Sequence, residues 1–390
     1  MSDTPVKRLS FIDRFLPVWI FIAMALGIGL GHAFPDLGAR LDTVKLDTVS
    51  LPIAIGLLWM MYPVLAKVRY GELGRLRTRG RLFTTSLFLN WLVGPLLMFA
   101  LAWLLLPDMT HYRTGLILIG LARCIAMVLI WNMLARGSNE IAAVLVALNS
   151  VFQIVFYSVL GWFYLSVLPG WLGAEGAAFD VSMWSIGKSV LIFLGVPLAA
   201  GALTRLGLTR LKGEAWYEGK FLPRLGPTAL LGLLYTIVLM FAMQGEKITR
   251  LPWDVVRISI PLLIYFGVMF TSAFFLSRGL GFSYEETASL SFTAAGNNFE
   301  LAIAVAVGVF GMASGEALAG VVGPLIEVPA LIALVYLSLW LKRRLFPGSG
   351  APVLPRRFAG KDGPTDASGS HLTRSMGEGH SSPAIPEETR

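Results

Sequence analysis

Ten apolar segments, each long enough to cross a lipid bilayer, recur along this chain of 390 residues. A membrane-spanning helix needs about 20 mostly apolar residues. Only 14% of the residues are charged, against roughly 25% in an ordinary soluble domain, so a water-soluble core cannot absorb this much apolar surface. The sequence therefore predicts an all-α integral membrane protein with ten transmembrane helices, at 15–34, 48–66, 82–106, 114–135, 140–165, 183–203, 222–243, 254–277, 284–310 and 316–341.

Basic residues between the spans predict the orientation in the membrane. An even number of spans puts both termini on one side, and cytoplasmic segments carry an excess of Lys and Arg. With cytoplasmic termini, the inner segments hold nineteen Lys and Arg and the outer segments hold six. We therefore expect a cytoplasmic N-terminus at 1–14, an external connection at 166–182 and a cytoplasmic tail at 345–390. The tail is rich in Gly, Pro, Ser and charge, a composition typical of disorder.

The spans divide into two halves of five, 15–165 and 183–344. An odd number of spans in each half gives the halves opposite orientations, and such inverted repeats are typical of secondary transporters. An offset of 176 residues places Ser138-Asn139-Glu140 on Ser314-Gly315-Glu316, and it also places Cys124 on Glu300.

Spans four and nine carry polar interruptions near their middles. Span four contains Arg123 and Cys124, and span nine contains Asn297, Asn298 and Glu300. Ionisable groups at that depth are costly and mark functional sites, and Gly-Asn-Asn is poor helix material, so we expect helices four and nine to be discontinuous and to meet at a substrate site near the midplane.

Each reactive side chain has a competing structural interpretation. Glu300 is either a carboxylate that takes up and releases a proton or half of a structural ion pair with Arg123. Cys124 is either a small buried hydrophobe or a thiolate favoured by Arg123 and a nearby helix end. The functional interpretation is favoured for Glu300, since nothing structural requires an acid there.

Polar residues in spans five and ten extend the candidate site. Asn149, Gln153 and Tyr157 are spaced by four and share a helix face. Glu327 precedes Pro329 in span ten, and it is equally consistent with a second protonatable group and with a packing acid. The Gly27-x-x-x-Gly31 pattern is typical of close helix packing.

Enzyme and cofactor signals are weak. Gly187-Lys188-Ser189 resembles the end of a phosphate loop, but Ser182 stands where the loop's first glycine belongs and no strand precedes it. The four histidines are scattered, so no metal cluster or cofactor is expected. The net charge of +8 comes from basic residues between spans, which does not indicate nucleic-acid binding.

Two stretches closely resemble the ACR-type arsenite efflux permeases of the bile acid, arsenite and riboflavin transporter superfamily. They are Arg123-Cys-Ile-Ala-Met-Val-Leu-Ile-Trp-Asn132 and Asn297-Asn-Phe-Glu-Leu-Ala-Ile-Ala-Val305. Further matches, over about residues 10 to 345, are Met61-Tyr-Pro-Val-Leu-Ala-Lys-Val68, Ala147-Leu-Asn-Ser-Val-Phe-Gln153 and Glu327-Val-Pro329.

The resemblance implies a plasma-membrane protein that exports arsenite in exchange for protons, with Cys124 and Glu300 as the essential pair. The family pattern has Ser where Gly296 stands in this chain. As(III) is soft and thiophilic, so Cys124 would be its ligand, and antimonite is a second possible substrate. We expect Cys124 and Glu300 to face one shared cavity, with Arg123 beside both.

Two other functions compete with arsenite export. A sodium-coupled symporter for organic anions from the same superfamily would need sodium ligands and would not need Cys124. A membrane receptor without transport activity would keep the fold, but the short loops and a tail with no signalling domain disfavour it.

Overall fold

Helices make up almost all of the regular structure. The computed structural model describes residues 15–347 except 42, 44, 47–48, 69–78, 126, 174–181, 251 and 312–313, so the predicted N-terminal segment and nearly all of the tail lie outside the described residues. In chain order the elements are α1 (Leu16–Ala33), α2 (Leu37–Leu41), β1 (Lys45–Leu46), β2 (Val49–Ser50), α3 (Leu51–Ala66), α4 (Gly80–Leu105), α5 (Thr110–Leu121), α6 (Met127–Leu134), α7 (Asn139–Trp171), α8 (Met183–Lys212), α9 (Glu214–Arg250), α10 (Pro252–Gly279), α11 (Tyr284–Ala295), α12 (Phe299–Phe310) and α13 (Gly315–Leu345). The two strands pair antiparallel over two residues each.

Six of the described helices are long and apolar enough to cross a membrane, namely α4, α7, α8, α9, α13 and residues Trp253–Gly279 of α10. Shorter apolar helices occur at Val18–Ala33, Leu51–Ala66 and Phe299–Phe310. Large apolar side chains such as Leu104 remain exposed on the outer faces, as lipid contact requires. These features confirm an all-helical membrane protein.

Four of the long helices contain one wide turn with π-helical hydrogen bonding. The turns are Leu89–Val93, Phe163–Val167, Leu191–Gly195 and Tyr217–Phe221. Each ends two residues before a proline, which lacks the N–H for an α-helical bond and whose ring crowds the carbonyl four residues earlier. That carbonyl belongs to the middle residue of the π turn in every case, so the wider turn accommodates the proline without ending the helix.

Three predicted boundaries are wrong. The seventh span does not end at 243, because α9 continues to Arg250. The fifth span does not end at 165, because α7 continues through a π turn to Trp171. The predicted loop at 204–221 is almost entirely helical, since α8 runs to Lys212 and α9 starts at Glu214. Gly213 makes the turn between them with a φ of 82°, a conformation that glycine adopts without strain.

Helix α9 packs closely on α1 and α3, and α3 also packs on α8. A side chain at Gly27 would lie 2.6 Å from the Val238 carbonyl, and one at Gly31 would lie 2.4 Å from the Ala242 carbonyl. The predicted close packing at these two glycines is therefore present, against α9. A second set of contacts joins α10 to α11 and α13, and joins α13 to α5 and α12.

Polar contacts tie the helix ends together at two separate places. At one, Arg79 pairs with Glu286 and Lys342 pairs with Glu285. At the other, Asp108 pairs with Arg257, Tyr112 donates to Asp254 and His111 contacts Glu316. The first group contains only residues that the sequence places on the inner side, and the second contains only residues placed on the outer side. The predicted grouping of helix ends is therefore consistent with the fold.

Candidate functional site

The polar interruptions in spans four and nine are breaks in the helices. Helix α5 ends at Leu121 and α6 begins at Met127, while α11 ends at Ala295 and α12 begins at Phe299. Both predicted discontinuities are therefore present in the structure. An unwound stretch inside an apolar protein must find partners for its backbone groups.

The two breaks provide those partners for each other. The Cys124 N–H donates to the Gly296 carbonyl at 3.3 Å, and the Asn298 N–H donates to the Ala122 carbonyl at 3.1 Å. The two extended segments thus form a short antiparallel ladder. These bonds satisfy backbone groups that have no helical partner, so they stabilise the contact between the two breaks. We call this contact, between residues 122–124 and 296–298, the crossing.

The hydrogen-bond register at the crossing gives a different residue offset between the two halves from the 176 that the sequence pattern predicts. The central residues of the ladder are Arg123 and Asn297, whose numbers differ by 174. Cys124 therefore corresponds to Asn298 at the crossing, and the predicted coincidence of Cys124 with Glu300 is wrong. The 176-residue offset does match the N-caps of α7 and α13 at Ser138 and Ser314. One offset cannot serve both places, because Ser138 follows Arg123 by 15 positions whereas Ser314 follows Asn297 by 17.

Arg123 is fully buried at the crossing, where its backbone N–H and both terminal guanidinium nitrogens have hydrogen-bond partners. Its backbone N–H donates to Gln153 Oε1 at 2.9 Å, and its Nη1 donates to the Tyr265 hydroxyl at 2.8 Å. The guanidinium also donates to the carbonyls of Gly120 and Ala294, which lie at the C-terminal ends of α5 and α11. Helix C-termini favour positive charge, so two helix ends stabilise this buried cation.

Sequence reasoning missed Tyr265 and misplaced Arg123. Tyr265 is one tyrosine in a long apolar helix, and its position opposite the arginine follows only from the fold. Within the part of the chain that the structure describes, no ion pair joins Arg123 to Glu300. The expectation that Arg123 is the counter-ion of Glu300 is therefore wrong in this conformation, because the guanidinium faces helix C-termini instead.

Cys124 lies in the first break, three residues before α6 begins, and is 2% exposed. Its Sγ accepts a hydrogen bond from the Val128 N–H at 3.3 Å. A helix N-terminus stabilises negative charge and so favours a thiolate. The sulfur of Cys124 therefore lies where its thiolate form, a nucleophilic and soft ligand, is favoured.

Glu300 lies in the first turn of α12 and reaches a cavity of about 170 Å³. Helices α3 and α9 form one wall, and the residues that follow the two helix breaks form the other. The lining side chains and glycine are Met60, Met61, Val64, Lys67, Ile125, Met127, Leu129, Ile130, Gly226, Ala229, Leu230, Leu233, Asn298 and Glu300. Cys124 is not part of this lining, so the expectation that Cys124 and Glu300 face one cavity is wrong in this conformation. The adjacent Ile125 lines it instead, because the thiol is turned toward the Val128 amide.

Asn297 and Asn298 shape the second break. Asn297 Nδ2 donates to the Ile119 carbonyl at 2.7 Å, and the Asn298 Oδ1 accepts the Leu301 N–H at 3.0 Å as the N-cap of α12. Among the described residues, Asn297 Oδ1 and Asn298 Nδ2 have no hydrogen-bond partner. Asn298 also lines the cavity, so its amide nitrogen is a donor that a small polar molecule can satisfy.

The polar face of α7 supports the first break. Gln153 accepts the Arg123 N–H, and the Tyr157 hydroxyl donates to the Leu118 carbonyl at 2.8 Å. Asn149 lies one turn earlier and accepts from Trp91 Nε1 at 3.4 Å. All three side chains predicted to share a helix face are buried. Gln153 and Tyr157 fix the backbone on either side of the end of α5.

Gly296 has no side chain, and Cys124 occupies the space where one would lie. Its backbone is extended, with φ −74° and ψ 143°, which any residue can adopt. A side chain there would place Cβ 3.0 Å from Cys124 Cβ and 3.2 Å from the Phe292 carbonyl. A side chain at this position would therefore need Cys124 to shift by a few tenths of an ångström, whereas the backbone conformation itself does not require glycine.

Gly296→Ala is expected to destabilise the protein by about 1–3 kcal/mol, the usual cost of overpacking a filled site. Thermal unfolding of purified protein in detergent measures the change. Gly267→Ala is the matched control, since a side chain there meets nothing within 4 Å. Equal unfolding temperatures for the two variants would contradict the tight fit at the crossing.

Comparison with known proteins identifies the family of this chain. Residues 54–251 match the model of the Sodium Bile acid symporter family. The chain is 55% identical to the arsenical-resistance protein Acr3 of Corynebacterium glutamicum, over 89% of this chain and 94% of that protein. It is also 36% identical to an uncharacterised transporter of Synechocystis sp., over 86% of this chain and 91% of that protein.

A second arsenical-resistance protein Acr3, from Alkaliphilus metalliredigens, is 30% identical over 85% of this chain and 93% of its own length. The chain therefore belongs to the ACR-type arsenite permease family, whose members are membrane transporters and not enzymes.

Proposed function

We propose that this protein exports arsenite from the cytoplasm across the plasma membrane in exchange for protons, with Cys124 as the arsenite ligand and Glu300 as the proton carrier. The observation that carries the proposal is the crossing itself. It places the single thiol of the chain at a helix N-terminus, one residue from a cavity that Glu300 and Asn298 line. Membership of a family that includes two arsenical-resistance proteins supports the choice of substrate.

Arsenite near neutral pH is mostly an uncharged trihydroxide, and As(III) prefers sulfur ligands. At the proposed site an S–As bond forms and one As–O bond breaks. The departing hydroxide combines with the thiol proton and leaves as water, so charge and atoms balance. Release is the reverse reaction, in which water returns its hydroxide to arsenic and its proton to sulfur. A single thiol allows this exchange, whereas three thiols would hold As(III) too firmly for a carrier.

Glu300 couples that exchange to the proton gradient. Its carboxylate lies in the cavity wall, where it can exchange protons with water, while the Arg123 guanidinium is held elsewhere. In the proposed cycle, Glu300 takes up a proton on the outer side as arsenite leaves and releases it on the inner side before arsenite binds. Arsenite and the proton therefore occupy the site alternately.

The cavity walls support a mechanism of alternating access. One wall belongs to α3 and α9, which pack with α1 and α8, and the other belongs to the broken helices. Movement of one set of helices past the other would transfer the crossing between the two sides of the membrane. We also propose that the chain has ten spans in two inverted repeats, with the broken helices α5–α6 and α11–α12 as the fourth and ninth spans.

The family description names sodium, but the crossing is less consistent with sodium coupling than with proton coupling. Unwound backbone carbonyls are typical sodium ligands in transporters. Here the carbonyls of Gly120 and Ala294 accept from the Arg123 guanidinium, which is a fixed positive charge. A sodium ion at that position would be repelled by Arg123 and would compete with it for ligands.

Everted membrane vesicles from cells that produce the protein test the proposal. An imposed pH gradient, acid inside, is expected to drive arsenite accumulation, since the vesicle interior represents the outside of the cell. Vesicles from cells without the protein are the control, and collapse of the gradient with a protonophore should end accumulation. Uptake that requires sodium and ignores the pH gradient would favour the symporter. The same vesicles with antimonite test the second possible substrate.

The proposed orientation puts both termini in the cytoplasm. A cysteine introduced by Ala177→Cys is expected to react with a membrane-impermeant maleimide in intact cells, whereas one introduced by Thr78→Cys should react only after permeabilisation. Both positions lie outside the described residues, and buried Cys124 provides a low background. The opposite labelling pattern would reverse the orientation.

A further inference from the structure

Two buried side chains on different helices make the same contact with the paired backbone segments. Gln153 Oε1 on α7 accepts the N–H of Arg123, and Glu327 Oε1 on α13 accepts the N–H of Asn297 at 3.4 Å. Arg123 and Asn297 are the two central residues of the ladder. Each accepting side chain therefore belongs to the residue 30 positions after the one whose backbone N–H it accepts. One half of the crossing uses an amide for this task, and the other half uses a carboxylic acid.

The surroundings of Glu327 differ from those of Glu300. Glu327 is 4% exposed, and among the described residues no Lys, Arg or His forms an ion pair with it. It is also absent from the described lining of the cavity, which contains Glu300. An ionised carboxylate without a cation is costly in such a place.

We propose that Glu327 is a positioning residue and not the coupling acid. Its carbonyl oxygen holds the Asn297 amide, and so fixes the second break and the start of α12, where Glu300 lies three residues further on. Gln153 does the same work for the first break, so an amide at 327 suffices. This inference rests on the proposed function, because it assigns the two carboxyl groups different tasks within proton-coupled export.

The test compares Glu327→Gln with Glu327→Leu in everted vesicles, with arsenite as substrate and the pH gradient varied. Glutamine keeps the acceptor oxygen in nearly the same shape. Glu327→Gln is expected to keep arsenite uptake within about twofold of the unmodified protein, with the same dependence on pH. Glu327→Leu leaves the Asn297 amide unsatisfied, and uptake is expected to fall about tenfold or more. Gln153→Leu, the matched change on the other half, should reduce uptake similarly.

The pH profile separates positioning from proton transfer, since a purely structural defect lowers uptake without changing its coupling. If Glu327→Gln abolishes gradient-driven uptake, or shifts its pH dependence, the inference is overturned and Glu327 is a coupling acid. Full activity of Glu327→Leu, equal to that of the unmodified protein, would also overturn the inference.

If the unmodified protein takes up no arsenite, the proposed function itself fails. The amount of each variant in the membrane is measured in parallel, and Glu327→Gln decides the question even if Glu327→Leu does not fold.

Discussion

Cys124→Ser is expected to abolish arsenite export while the protein remains folded in the membrane. Serine is nearly the same size, and its hydroxyl can still accept the Val128 N–H that the sulfur accepts now. It replaces a soft sulfur with a hard oxygen that does not ionise at neutral pH. Loss of a residue that only hydrogen-bonds to a metal ligand costs roughly 10–100-fold in metal affinity, so loss of the proposed ligand itself should reduce transport by more than about 100-fold.

Uptake in everted vesicles and the amount of protein in the membrane measure this result together. Ser150→Ala is a suitable comparison on α7, because Ser150 is buried and, among the described residues, its hydroxyl bonds only to the carbonyl one turn earlier in its own helix. It should transport arsenite normally. Full export by Cys124→Ser would remove the thiolate from the mechanism, and transport would then depend on hydrogen bonds alone.

Glu300→Gln is expected to eliminate net, gradient-driven export. Glutamine preserves the shape of the side chain and its hydrogen bonding, but it cannot bind and release a proton. The carrier should behave as if Glu300 were permanently protonated, so no proton returns inward in exchange for arsenite. Arsenite binding to purified protein, followed by intrinsic fluorescence, is expected to persist in weakened form, which separates loss of coupling from loss of folding.

Glu300→Asp provides the matched control for this prediction. Aspartate keeps the titratable group but shortens its reach into the cavity, so partial gradient-driven activity should remain. Glu327→Gln serves as the second control, since it removes a carboxylic acid that does not line the described cavity. Normal proton-driven export by Glu300→Gln would show that the coupling acid lies elsewhere.

The sequence by itself determined the class of protein and the location of its site. Lipid imposes a local cost on every polar group, so apolar segments and their interruptions can be read without knowledge of the fold. For that reason Arg123, Cys124, Asn297, Asn298 and Glu300 were identified from their positions within apolar spans, and all five lie at or next to the two helix breaks.

Only the tertiary structure decided how those residues face one another. The register of the crossing depends on which backbone groups pair, and this gave an offset of 174 where the sequence pattern indicated 176. The partners of Arg123 are helix C-termini and Tyr265, which become neighbours only when α5, α10 and α11 pack together. The direction of the Cys124 thiol likewise follows from the Val128 amide at the start of α6. Such contacts join distant parts of the chain, and the cost of burying each group depends on partners that no local pattern specifies.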